Sequence, residues 1–79
     1  MRVKIRGVRP VSIKSEFIKL DALLKFASLV STGGEAKNII QNGEVMVNGE
    51  HCEQRGRKVR PGDIVRCSGS LLIVKKNDN

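Results

Sequence analysis

A chain of 79 residues is expected to form one domain, and at that size folding removes only about 60% of the unfolded surface from water, which leaves one modest core and makes a deep enzymatic cleft hard to house. The 39% apolar content fits such a core. Fifteen Lys and Arg against eight Asp and Glu give +7, and with a pI near 10.0 the surface potential draws polyanions rather than neutral small molecules.

Residues 2–14 read as extended. Val3, Ile5, Val11 and Ile13 alternate with polar or basic neighbours, and Gly7 and Pro10 interrupt the pattern. Pro10 has no N–H to donate, which suits an edge strand or a break between two short strands. Residues 1–8 are expected to form a basic arm. Met1 to Arg6 contains no apolar stretch of the secretory kind, and no run approaches the ~18 apolar residues of a membrane helix. A cytoplasmic protein with no membrane attachment is expected.

The first helix is marked by Leu20, Leu23, Leu24 and Ala27, at i, i+3, i+4 and i+7, with Asp21 near its positive end. Phe26, three residues after Leu23, is expected in the core. Thr32-Gly33-Gly34-Glu35 then has capping-box spacing: the Thr32 hydroxyl accepts from the Glu35 N–H, and the Glu35 carboxylate reaches back. Ala36, Ile39 and Ile40 form the buried stripe of the second helix, and Gly43 stops it.

The rest is β. Asn48-Gly49 between Val45–Val47 and Glu50–Cys52 predicts a hairpin on a type I′ turn, which needs positive φ at both central residues. Pro61-Gly62-Asp63 marks another turn and places residues 64–67 in a strand; Gly69 breaks it, residues 71–74 form the last strand, and residues 75–79 are expected to fray. The expected order is β-α-α-β-β-β, an α+β domain of two short helices packed on a small, mainly antiparallel sheet.

Three basic features are candidates for binding. Arg55, Arg57, Lys58 and Arg60 fall within six residues around Gly56; a plain solvated loop would read the same way. Lys37 and Gln41, with Asn38 beside Lys37, lie on the second helix away from its apolar stripe. The N–H groups at Gly33 and Gly34 open that helix without side chains, which suits an anion, although Glu35 opposes one. Catalysis lacks parts: His51 and Cys52 are adjacent in a strand, so they point to opposite faces and form no nucleophile–base pair. No CxxC or second histidine completes a metal site, and Cys67 reads as core. No enzyme, cofactor or metal is expected. Phe17 and Phe26 are the only aromatic side chains, so recognition is expected to rest on phosphates, ribose and groove shape rather than base stacking.

Lys19-Leu20-Asp21, Leu24, Ala36-Lys37, Ile39-Ile40, Gly43, Val45, Val47-Asn48-Gly49 and Pro61-Gly62-Asp63 resemble the RNA-binding domain first named for ribosomal protein S four, the alpha-L motif. The likeness spans about residues 16–67 and is most specific from Ala36 to Gly49. It implies RNA held across the two helices and the loop after the hairpin. Carried over by position, it points to Lys19 at the start of the first helix, to Thr32, Lys37 and Gln41 on the second, and to Asn48 in the hairpin turn. The Gly-Gly-x-Ala-Lys run and the basic loop are similar to a small, stand-alone, bacterial YaaA-like branch. Many members carry arginine where Gly33 stands here, which shifts the expected phosphate contacts toward Arg55, Arg57 and Lys58. The resulting expectation is a single-domain, monomeric, non-catalytic binder of structured RNA, with ribosomal RNA or assembling ribosomal particles as the target class. A winged helix-turn-helix that binds DNA is the alternative within nucleic acids. A protein adaptor is a third reading, with no exposed aromatic anchor expected to serve it.

Overall fold

The computed structural model describes residues 7–77. The strands and helices are β1 (Gly7–Ile13), β2 (Ile18–Lys19), α1 (Leu20–Phe26), α2 (Gly33–Gln41), β3 (Val45–Val47), β4 (Glu50–His51), β5 (Lys58–Val59), β6 (Ile64–Cys67) and β7 (Ser70–Lys76). Five strands form one sheet in the order β1-β7-β6-β3-β4, and β2 pairs with β5 in a separate two-stranded ladder. The expected α+β architecture is found, with two additions. Its first strand runs parallel to its last, and the β2–β5 ladder, two residues a side, is too short to leave a periodic trace.

Turn chemistry sets most of this. Asn48 and Gly49 have φ of 52° and 86°, the left-handed pair that a type I′ turn requires, and they fold β3 onto β4. Ser68 and Gly69, at 53° and 80°, do the same between β6 and β7. Both helices end in a Schellman pattern. Gly43 N–H donates to Ile40 and Glu44 N–H to Ile39; Ser28 N–H donates to Lys25 and Leu29 N–H to Leu24. Gly43 takes its φ of 76° without strain, whereas Ser28 holds 61° with a Cβ in the way. The Arg9 guanidinium, 2.6 Å from the Ala27 carbonyl, adds a charged donor at that helix end.

The capping box forms. Glu35 N–H donates to the Thr32 hydroxyl at 3.1 Å, while the Glu35 carboxylate accepts from the Ser31 N–H at 2.7 Å, one residue before the cap. Alternation places Val11, Ile13, Val45, Val47, Val65, Cys67, Leu72 and Val74 on the inner sheet face, against Leu20, Leu23, Leu24, Ala36 and Ile40 from the helices. Each such aliphatic side chain contributes about 1.5–3 kcal/mol when fully buried.

Pro10 lies in β1, an edge strand, as expected. Asn77 N–H donates to the Ile13 carbonyl, so odd-numbered residues of β1 bond β7 and Pro10 faces the open edge, where its missing N–H costs no ladder bond. Of the expected basic arm, residues 1–6 lie outside the described residues, and Gly7 and Val8 are already strand. β7 continues through Lys75 and Lys76, paired with Ser12 and Ile13, rather than fraying after Val74. Residues 78 and 79 also lie outside the described residues.

Phe26 requires a correction. It is 63% exposed instead of buried. The buried stripe of α1 is Leu20, Leu23, Leu24 and Ala27, and Phe26 lies about 100° around the helix from Ala27. In a helix of seven residues, three-residue spacing from Leu23 alone does not reach that stripe.

Candidate nucleic-acid interface

The β2–β5 ladder draws the basic loop onto the start of α1. Lys19 pairs with Lys58 and Ile18 with Val59. The Leu20 N–H donates to the Arg57 carbonyl at 2.9 Å, and the Asp21 N–H to the Arg55 carbonyl at 3.1 Å. Two N–H groups that a helix leaves without an internal partner are thereby satisfied by loop backbone. The side chains of Arg55 and Lys58 stay exposed, as does Lys19, which makes no side-chain cap bond. Two lysines directly opposite in a ladder repel. Lys58 also stands over the Phe17 ring, its Nζ 4.9 Å from the centroid, a cation–π contact. The basic loop and Lys19, remote from it in sequence, thus meet at one helix start.

On α2, Lys37, Asn38 and Gln41 are all exposed, on the side opposite the Ala36–Ile40 stripe. Thr32 is exposed at the N-cap, its hydroxyl oxygen accepting from Glu35. A Cβ added at Gly33 would meet nothing within 4 Å, so packing does not demand glycine there.

Asn48 and Arg60 belong to a different constellation. The Asn48 side-chain amide donates to Asp63 Oδ1 at 3.1 Å, and its oxygen accepts from the Ile64 N–H at 2.9 Å. Asp63 Oδ2 accepts from the Arg60 N–H at 2.8 Å. The carboxylate locks the hairpin turn to the Pro61-Gly62 turn. Burial opposes the charge on Asp63, but the Arg60 N–H, the Asn48 amide and the Arg57 and Arg60 cations outweigh it and hold the carboxyl below the usual range. The Asn48 side chain is therefore engaged within the fold, while the Arg60 side chain remains exposed.

Cys67 is fully buried, and burial pushes its thiol up, consistent with the core role expected of it. His51 is exposed with Nδ1 3.0 Å from the Gly43 carbonyl, and Cys52 is buried, so the two point apart. Among the described residues no three His, Cys, Asp or Glu side chains are grouped to hold a metal ion. Among the described residues no helix is long and apolar enough to cross a membrane. Sequence reasoning missed Phe26, Lys14 and Arg9 as surface groups of interest. Only the phase of Phe26 on the helix, judged against Ala27, could have flagged the first.

Known proteins resemble this chain in sequence and in fold. The profile described as S4 domain matches residues 11–75. A Bacillus subtilis protein named probable ribosome maturation protein RlbA is 43% identical over 60 residues, covering 76% of this chain and 84% of that one. The small ribosomal subunit protein uS4 of Hyphomonas neptunium is 40% identical over 59 residues, covering 71% of this chain but only 29% of the ribosomal protein. The trimeric structure of Vibrio cholerae heat shock protein 15 superimposes with a TM-score of 0.67 at 24% identity, over 80% of this chain and 67% of that one, a likeness of fold.

Proposed function

Because the chain belongs to the S4 domain family, we propose that it binds structured RNA without catalysis, through the cations gathered at the start of α1 and the polar side of α2. The observation that carries this reading is the Lys19–Lys58 pair with the Arg55 and Arg57 backbone bonded to the same helix start. The fold keeps like charges together there at a cost in stability, and a polyphosphate offsets that cost. Arg55, Arg57, Lys58 and Lys19 contact phosphates in this reading. Lys37, Asn38 and Gln41 extend the face along α2, with Thr32 at its cap and Arg60 at the far end of the loop. The names of the RlbA and uS4 relatives support a ribosome-related target, ribosomal RNA or an assembling ribosomal particle, in the cytoplasm.

The test is a titration of a hairpin RNA at several salt concentrations beside duplex DNA of the same sequence. With about four to six phosphates neutralised, log K falls with log salt at a slope of about −4 to −5. RNA is preferred, because ribose hydroxyls and A-form shape are what a face of this kind reads. Salt-independent affinity overturns the phosphate reading. Equal competition by DNA promotes the helix-turn-helix alternative.

A further inference from the structure

Phe26 has no role in the face described above, yet at 63% exposure it is the most open large apolar side chain among the described residues. One exposed apolar side chain is ordinary on a protein surface; the surroundings of this ring are what set it apart. Two concavities, of about 470 and 400 Å³, meet at this ring. Arg9, Pro10 and Ser28 help to line one; Lys14, Ser15 and Ile18 help to line the other. Neither is lined by a carboxylate among the described residues. Ile18, on the lining of the second, immediately precedes Lys19 in β2.

We propose that Phe26 is a stacking platform for an unpaired nucleotide flanking the structured part of the bound RNA. The proposal rests on the RNA reading above and extends it. A base laid on the ring covers the apolar surface, and its phosphates fall to Lys14 on one side and Arg9 on the other. Arg9 uses one donor on the Ala27 carbonyl and keeps further guanidinium donors for a phosphate. Cations on both sides and no lining carboxylate favour RNA over a protein segment as the occupant.

The experiment uses two RNAs, a hairpin with a single-stranded adenosine tail containing 2-aminopurine and the same hairpin trimmed flush, against the parent chain, Phe26→Ala, Phe26→Leu and Phe26→Tyr. Stacking of one base makes the tailed RNA bind the parent about five- to tenfold more tightly than the flush one. Phe26→Tyr keeps that gain. Phe26→Ala and Phe26→Leu lose it, while all four bind the flush hairpin alike, and 2-aminopurine fluorescence is quenched by the parent and Phe26→Tyr alone. A tail gain that survives Phe26→Ala overturns the proposal, as does a tail that adds nothing to the parent while the flush hairpin still binds, which leaves the ring to a protein contact. A parent that binds neither RNA overturns the reading of the basic face itself, and the stacking role with it.

Discussion

Two polar regions of this small domain are built on opposite plans. Between the hairpin turn and the Pro61-Gly62 turn, Asn48, Asp63 and the N–H groups of Arg60 and Ile64 satisfy one another. At the start of α1 the loop bonds the helix through backbone, and the Lys19 and Lys58 side chains face each other as like charges, with Lys58 over the Phe17 ring. Closed networks hold a fold; cations with no such closure repel until an anion arrives. The difference separates polar residues that serve stability from polar residues available to a partner, although both groups lie at the surface.

The comparison can be broken at the layer beneath both regions. Leu24→Ala or Ile40→Ala empties a fully buried position and is expected to cost about 2–5 kcal/mol, a large share of the stability of so small a domain. A thermal or urea melt measures it, and RNA affinity falls only as far as the chain unfolds. Next in size is Asn48→Ala, which removes the side-chain bonds to Asp63 and to the Ile64 N–H and is expected to cost about 1–3 kcal/mol for the two together. If its melt matches the parent and its RNA affinity drops instead, the two regions are not separate in the way described.

Asp63 supplies a pH test of the same contrast. Its folded-state pKa lies below the unfolded value, so its contribution to stability is complete above the ordinary aspartate pKa of about 4 and is lost as pH falls through the lower, folded-state value. Melting temperature should therefore decline over that acidic window, and Asp63→Asn should show a shallower decline, starting from lower stability at neutral pH. Identical acid profiles for parent and variant would remove Asp63 from the closed network.

The smallest stability effects belong to the cationic cluster. Arg55→Ala, Lys58→Ala and Lys37→Ala should each change stability by less than about 0.5 kcal/mol, with Lys58→Ala relieving repulsion from Lys19. Each lost phosphate contact should reduce the magnitude of the salt slope by about 1. Folded Arg55→Ala and Lys37→Ala chains that bind hairpin RNA as well as the parent would place the interface elsewhere.

Much of the fold was legible because its signals are local. The type I′ turn at Asn48-Gly49 follows from which residues tolerate positive φ, the capping box from a three-residue spacing, and the stripes of α1 and α2 from helical periodicity. Lys37, Asn38 and Gln41 were readable as exposed for the same reason. The bonds of the Asn48 side chain were not legible, because a turn residue looks the same in sequence whether its amide faces solvent or bonds a second turn fifteen residues away. Phe26 was misleading because spacing from one apolar neighbour does not fix a helix phase that only packing selects.

By itself, then, the sequence determined what short-range sterics and periodicity can encode: the turns, the helix caps, the apolar faces and a strong positive charge. Tertiary structure alone decided what depends on segments meeting across the chain. Pairing β1 parallel to β7, drawing Lys58 opposite Lys19 through a two-residue ladder and leaving Phe26 at the junction of two grooves all involve partners far apart in sequence. Each requires loop closure whose entropy the complete core repays, and no window of neighbouring residues carries that information.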